Sequence, residues 1–253
     1  MARGGALIRR LQLRRTGVII SRQQIANMNT TYYGHSCFSV EVAGKRLLFD
    51  PFITPNPLAA AIDIKQLKAD FILVSHGHVD HVADAVEIAK RTDALVVANF
   101  EVASWLNKMG APRIQPMNHG GAVNLDFGRV KFVSAIHSST MPDGSSGGNP
   151  GGFVIESRDG NFYYSGDTAL TLDMKLIGES TKLKFAALCV GDNFTMGPDD
   201  AVKAADFVGC DQVLGCHFDT FPPIKIDHAA AKEKFQAAGK TLHLLRPGEA
   251  ADF

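Results

Sequence analysis

Ser75-His76-Gly77-His78-Val79-Asp80-His81 is the stretch on which the reading of this chain turns. Three imidazoles and a carboxylate fall between positions 76 and 81. Such nitrogen and oxygen ligands suit zinc, iron or manganese better than a thiolate-seeking metal. The segment follows the apolar run Phe71–Ser75, which reads as a buried strand. It precedes Val82–Arg91, where Val82, Ala85, Val86 and Ala89 share a helical face. The cluster therefore occupies a strand-to-helix loop. Gly77 is read as keeping the turn open so that alternate histidines converge on one ion.

Working outward, three more ligand-type residues stand at the ends of apolar strands. His137 ends Arg129–Ile136, Asp167 follows Phe162–Ser165, and His217 ends Gln212–Cys216. A lone histidine at a strand end is usually a satisfied structural group. Three such residues beside the His-x-His-x-Asp-His segment mark a metal centre.

The rest of the pattern supplies a scaffold. Thr31–Val42 and Lys45–Asp50 read as strands about an Ala43-Gly44 turn, and Phe153–Glu156 and Phe162–Ser165 as a hairpin about Asp159-Gly160. Ala94–Ala98 is a strand, and Glu101–Met109 a helix stopped by Gly110. Later come the strand Phe185–Val190, a helix from Pro198 to Val208, the strand Gln212–Cys216, a helix capped by Asp227 and a closing strand Thr241–Leu245. Hairpins followed by alternating strand and helix imply an α/β class of sheets covered by helices, in one domain without a sequence repeat. Ser138–Gly152, with five Gly and two Pro, reads as a mobile loop at the edge of the cleft.

Composition narrows the function. The 253 residues are 45% hydrophobic and 21% charged, an ordinary globular balance that excludes collagen, coiled coil and long disorder. No run approaches the ~20 apolar residues of a bilayer helix. Net charge is zero, but residues 1–27 hold six Arg and no acid. Removing those six from the 26 basic residues leaves 20 against 26 acidic ones in 28–253, a formal −6. That mildly acidic body argues against a nucleic-acid footprint. Cys37, Cys189, Cys210 and Cys216 form no C-x-x-C pair and read as buried reduced thiols, which points to a reducing, cytoplasmic setting. Residues 1–27 are set outside the core domain of 28–253, as an upstream extension or an organellar transit peptide.

The ordered set His76, His78, Asp80, His81, His137, Asp167 and His217 resembles the signature of the metallo-β-lactamase superfamily, over residues 28–253. Tyr-Tyr-Gly-His-Ser-Cys-Phe (32–38), Phe-Asp-Pro-Phe (49–52), Gly-Asp-Asn-Phe-Thr-Met-Gly-Pro (191–198) and His-Phe-Asp-Thr-Phe-Pro (217–222) are similar to a group of metal-dependent hydrolases related to ascorbate-6-phosphate lactonase. The resemblance implies a four-layer αββα sandwich. It also implies two divalent metal ions per chain, zinc first, with manganese, iron or nickel as alternatives. His76, His78 and His137 would hold one ion and Asp80, His81 and His217 the other, with Asp167 bridging. A hydroxide shared by two such ions is available near neutral pH and can attack a carbonyl or phosphoryl centre.

The expected function is therefore hydrolysis of a small ester, lactone or phosphorylated molecule, with Asp80 and His35 as catalytic residues beside the ions. An RNA-processing or phosphodiesterase-type nuclease and an N-acyl phospholipid phosphodiesterase are the alternatives. The expected partner is a small-molecule substrate, without nucleic acid or stable membrane insertion; a homo-oligomer is left open. His35 reads equally as a substrate-side or proton-supplying group and as a hydrogen-bonded hairpin residue. Asp50 reads as a turn cap ahead of a carboxylate orienting a metal-bound imidazole. His119 reads as an ordinary loop residue ahead of one approaching the site across a loop, His228 and His243 as structural, Asp192 and Asn193 as turn or cleft residues, and Trp105 as core.

Overall fold

The computed structural model describes Met1 and residues 27–253. The extension assigned to 1–27 thus lies almost wholly outside the described residues. Two seven-stranded sheets face each other. The first is built from β1 (Asn29–Gly34), β2 (Cys37–Val42), β3 (Lys45–Phe49), β4 (Phe71–Leu73), β5 (Leu95–Asn99), β6 (Arg113–Met117) and β14 (Ala250–Asp252). The second contains β7 (Ala122–Leu125), β8 (Gly128–Ser134), β9 (Gly151–Ser157), β10 (Gly160–Tyr164), β11 (Phe185–Cys189), β12 (Gln212–Cys216) and β13 (Thr241–His243). In each sheet an antiparallel meander passes into parallel strands, at β3–β4 in one and at β10–β11 in the other. The halves repeat an architecture without repeating a sequence.

Strand alternation divides the side chains between two cores. Leu47, Phe49, Phe71, Leu73 and Val97 point between the sheets, where Phe49 stacks on Phe38 at 4.6 Å and meets Phe153 and Phe162 edge-on. Their neighbours Leu48, Ile72, Val74 and Val96 point outward against α2 (Ala85–Thr92) and α3 (Phe100–Lys108). On the far side α4 (Asp173–Ser180), α5 (Pro198–Phe207) and α6 (His228–Ala237) bury Met174, Ala201, Ala204 and Phe235 in the core shared with the second sheet. The order is helix, sheet, sheet, helix, as expected.

Several boundaries differ from the sequence reading. The strand expected over Thr31–Val42 is broken by a turn at His35-Ser36, because Gly34 (φ 108°) and His35 (φ 57°) both take left-handed backbone. The helix expected at Val82 begins at Val79 as a single turn, α1 (Val79–Val82), so Asp80 and His81 are helical. It breaks at Asp84, whose buried carboxylate accepts hydrogen bonds from the backbone N–H groups of Ile53 and Thr54. Ser138–Gly152 is packed rather than free. Met141 is buried, the Asn99 amide donates to the carbonyls of Gly147 and Asn149, and the Ser139 hydroxyl accepts from the Gly77 N–H. Gly77 has a different purpose from the one read in the sequence: a Cβ there would strike the Met141 sulfur, so glycine admits this loop. Among the described residues no helix is long and apolar enough to cross a membrane.

Candidate metal centre

The parallel strands of both sheets carry their ligand-type residues just beyond their C-terminal ends. β3 delivers Asp50, β4 delivers His76 and His78, β10 delivers Asp167 and β12 delivers His217; antiparallel β8 contributes His137. These loops meet between the sheets. The ligand atoms of His76, His78 and His137 lie within 4.8 Å of one another, and so do those of His35, Asp80, His81 and His217. Six of the seven residues expected as ligands are thus brought together, His35 joins the second group, and Asp50 groups with His76 and His81.

Asp167 stands between the groups. Its Oδ2 is 2.9 Å from His217 Nε2 and 3.3 Å from His81 Nε2 on one side. On the other it is 3.7 Å from His137 Nε2 and 4.0 Å from His76 Nε2. The same carboxylate leaves Oδ1 buried without a hydrogen-bond partner, and His81 Nε2 is orphaned in the same way. Buried polar atoms are normally paired, so two such atoms at one centre point to a bound group. A neutral imidazole and a carboxylate are the ligand forms a divalent cation requires. The residues therefore fit a metal.

Electrostatics agree. Burial lowers the pKa values of His76, His78 and His137, which keeps them neutral. For His81 and His217 burial opposes charge, but the carboxylate of Asp167 with that of Asp80 outweighs it, raising His81 and pushing His217 up to about 9. Asp167 and Asp80 are held far below the carboxylate range, against burial, by those imidazoles. The field at this point favours positive charge.

A surrounding set of hydrogen bonds fixes the ligands. Asp50 Oδ2 accepts from His81 Nδ1 at 2.7 Å, from the Ser75 hydroxyl at 2.5 Å and from the Tyr164 hydroxyl at 2.5 Å. Its Oδ1 accepts from the Ser75 backbone N–H at 2.7 Å. The turn cap read in the sequence is therefore the group that orients His81. Ser75 Oγ also sits 2.9 Å from His76 Nδ1. His35 is 3.0 Å from Asp80 through Nε2 and 3.0 Å from the Thr220 hydroxyl through Nδ1. An ionised Asp80 only accepts, so Nε2 carries the proton. Burial, then the neighbouring His217, lowers the His35 pKa to about 4.

Sequence reasoning missed Ser75, Tyr164 and Thr220. Ser75 lay in the decisive segment, whereas nothing in the sequence distinguishes Tyr164 from other strand aromatics. Asp192 and Asn193 form an exposed turn, and Phe194 lines the cleft instead. His119 contacts the Pro150 carbonyl, His228 pairs with Asp219, and His243 meets Gln212, all outside the ligand groups. Trp105 is half-buried and donates to Asp143. The cleft above the ligands has a volume of about 280 Å³. A larger hollow of about 490 Å³, against α4, contains none of the clustered histidines.

Two facing mixed sheets with histidines and aspartates clustered beyond their strand ends make up a metallo-β-lactamase-type fold. The β-lactamase superfamily domain matches residues 29–217, and the chain belongs to that superfamily. More particularly, it is 55% identical over 225 residues to a UPF0173 metal-dependent hydrolase of Flavobacterium johnsoniae, covering 89% of this chain and all of that one. It is 51% identical over 222 residues to a UPF0173 metal-dependent hydrolase of Methylacidiphilum infernorum, covering 88% of this chain and 98% of that one. Among solved structures, Igni18, a metallo hydrolase from the archaeon Ignicoccus hospitalis, superposes with a TM-score of 0.81 at 34% identity, covering 90% of this chain and 99% of that one. An isothiocyanate hydrolase from Delia radicum gut bacteria shares the fold, with a TM-score of 0.73 at 19% identity over 89% of this chain and 99% of that one.

Proposed function

We propose that this metal-dependent hydrolase binds two divalent cations and cleaves a small ester, lactone or phosphorylated substrate. The observation that carries the reading is the placement of Asp167 Oδ2, which faces Nε2 atoms of both histidine groups at 2.9 to 4.0 Å. One carboxylate reaching two groups is the arrangement that two neighbouring cations require. His76, His78 and His137 would hold the first, and Asp80, His81 and His217 the second, with Asp167 shared. When bound, such cations lower the pKa of water toward neutrality and act as Lewis acids on the developing oxyanion.

The chain's own residues do the rest. Asp80, whose side chain is a fifth exposed to the cleft, is placed to accept a hydrogen bond from entering water. Its ionised form is fixed by His81, His217 and His35. His35 acts as a positioning group, holding Asp80 at 3.0 Å while Thr220 holds His35. Asp50 and Ser75 keep His81 and His76 aimed inward. No serine or cysteine nucleophile is needed, and the four cysteines are buried thiols. The test is elemental analysis of protein purified without added metal, followed by a screen of p-nitrophenyl esters, lactones and phosphate esters. Two cations per chain with chelator-sensitive turnover supports the reading. Full turnover after verified metal removal overturns it.

A further inference from the structure

Apart from ligand-type residues, the cleft is lined by Ser138, Phe194 and Phe221, and among the described residues no lysine or arginine lines it. Phosphoryl groups are ordinarily gripped by arginine, lysine or the N-terminus of a sustained helix; among the described residues no such cation lines the cleft, and the helix that starts beside it, α1, is a single turn. Phe194 is 54% exposed, an uncommon state for a large apolar ring beside a catalytic centre.

The backbone shows that this exposure is built. Asp192 (φ 59°) and Asn193 (φ 54°) take left-handed backbone in succession, which aspartate and asparagine adopt more readily than other non-glycine residues because their short polar side chains bond locally. The turn is held by the Asp192 N–H on the Met196 carbonyl at 3.1 Å and by the Asp192 carboxylate accepting from the Asn193 N–H at 2.8 Å. A Cβ on Gly197 would come within 3.0 Å of the Asp192 carboxyl carbon, so the glycine makes room for that side chain. This bonded turn presents Phe194 to the cleft. The other wall is stiff: Phe221 precedes Pro222-Pro223 and packs edge-on to His35 at 5.5 Å, with Phe52 at 6.3 Å. Around the same centre, Val79 between His78 and Asp80, and Ile136 beside His137, are likewise more than half exposed.

We infer that the substrate is an uncharged ester or lactone with an apolar body that packs against Phe194 and Phe221, and not a phosphorylated molecule. Phe194 is then a specificity-determining residue. This rests on the hydrolase reading above and narrows it. The cleft volume of about 280 Å³ sits at the lower edge of the roughly 300–1,000 Å³ of small-molecule sites. A short alkyl or aryl body fits; a macromolecule would reach it only with a projecting group.

The experiment compares p-nitrophenyl acetate, butyrate and hexanoate with p-nitrophenyl phosphate and bis(p-nitrophenyl) phosphate, all sharing one leaving group. In the metal-loaded parent, kcat/KM should rise roughly three- to fourfold per methylene along the ester series. Phe194→Ala should flatten that rise chiefly through KM while metal content is retained, and Phe194→Leu should restore most of it. A flat series in the parent, an unaltered slope in Phe194→Ala, or faster turnover of either phosphate ester overturns the inference while leaving a hydrolase in place. A binding arm separates the two readings: saturation-transfer NMR of 2-octanone, which has no hydrolysable bond, and of octyl phosphate, recorded before any turnover of that phosphate ester. If no ester, lactone or phosphate is hydrolysed, the function proposed above fails and the ester or lactone assignment with it, whereas preferential binding of 2-octanone that Phe194→Ala abolishes still upholds an uncharged, apolar ligand at Phe194. Preference for octyl phosphate overturns it.

Discussion

Asp50 Oδ2 lies 2.7 Å from His81 Nδ1, and neither side chain is exposed to solvent. This contact fixes the ring so that Nε2 faces Asp167. Replacing the carboxylate by an amide keeps the volume and removes the charge that orients the imidazole. Asp50→Asn should weaken binding at the His81 ion roughly 10- to 100-fold, as loss of an outer carboxylate partner commonly does. Competition against a chromophoric chelator checks it; unchanged affinity at both positions would remove Asp50 from the centre.

The shared position of Asp167 separates it from the other ligands. Asp167→Ala should lower the occupancy of both ions, whereas His137→Ala should first release the ion grouped with His76 and His78. Metal stoichiometry after dialysis distinguishes the two. If either variant keeps two cations and normal turnover, the ligand assignment is wrong.

The thiols titrate with a clear sign. Burial raises the pKa values of Cys37, Cys189 and Cys216. The folded protein therefore retains thiol protons that the unfolded chain gives up. That stabilisation is complete below the ordinary thiol pKa of about 8.5 and drains away as pH rises above it. Urea midpoints should fall between neutral pH and pH 10, and Ellman's reagent should react slowly until denaturant is added. Rapid labelling of all four thiols at pH 7 would contradict the burial.

Asn99 ties a helix cap to a loop. Its Oδ1 accepts from the Val102 N–H at the start of α3, while its amide donates to Gly147 and Asn149. Asn99→Ala should cost about 2 kcal/mol, from one lost cap and stranded carbonyls. Urea unfolding measures the loss, and hydrogen exchange across 138–152 should quicken. Unchanged exchange would mean that Met141 and the Ser139–Gly77 contact anchor the loop without Asn99.

The histidines and aspartates that cluster between the sheets were legible because they are chemically unusual, closely spaced in positions 76 to 81, and elsewhere stand where an apolar run ends. The unread strands share a physical cause. β6, β7 and β14 are all sheet edges. An edge strand has a neighbour on one side only, so it lacks the unbroken apolar run of β11, every residue of which is buried. Pro116 within β6 pointed away from a strand, although an edge tolerates proline. α4 was hidden by Gly178, which a helix reading disfavours. A Cβ there would strike the Phe207 carbonyl, so the glycine serves the packing of α4 against α5. Tyr164, the partner of Asp50, is separated from it by 114 positions, and no local pattern links the two.

The ligands are also divided along the chain, with positions 76 to 81 in the first sheet's loops and 137, 167 and 217 in those of the second. A ribosome adds about 5–20 residues each second, so the early histidines emerge roughly 7–28 s before His217. During that interval they can meet any cation in the surroundings, but without Asp167 and His217 they impose little geometry on it. Discrimination among cations begins only when the second sheet closes over the first. The finished tertiary structure, and not the nascent histidine segment, thus chooses the metal.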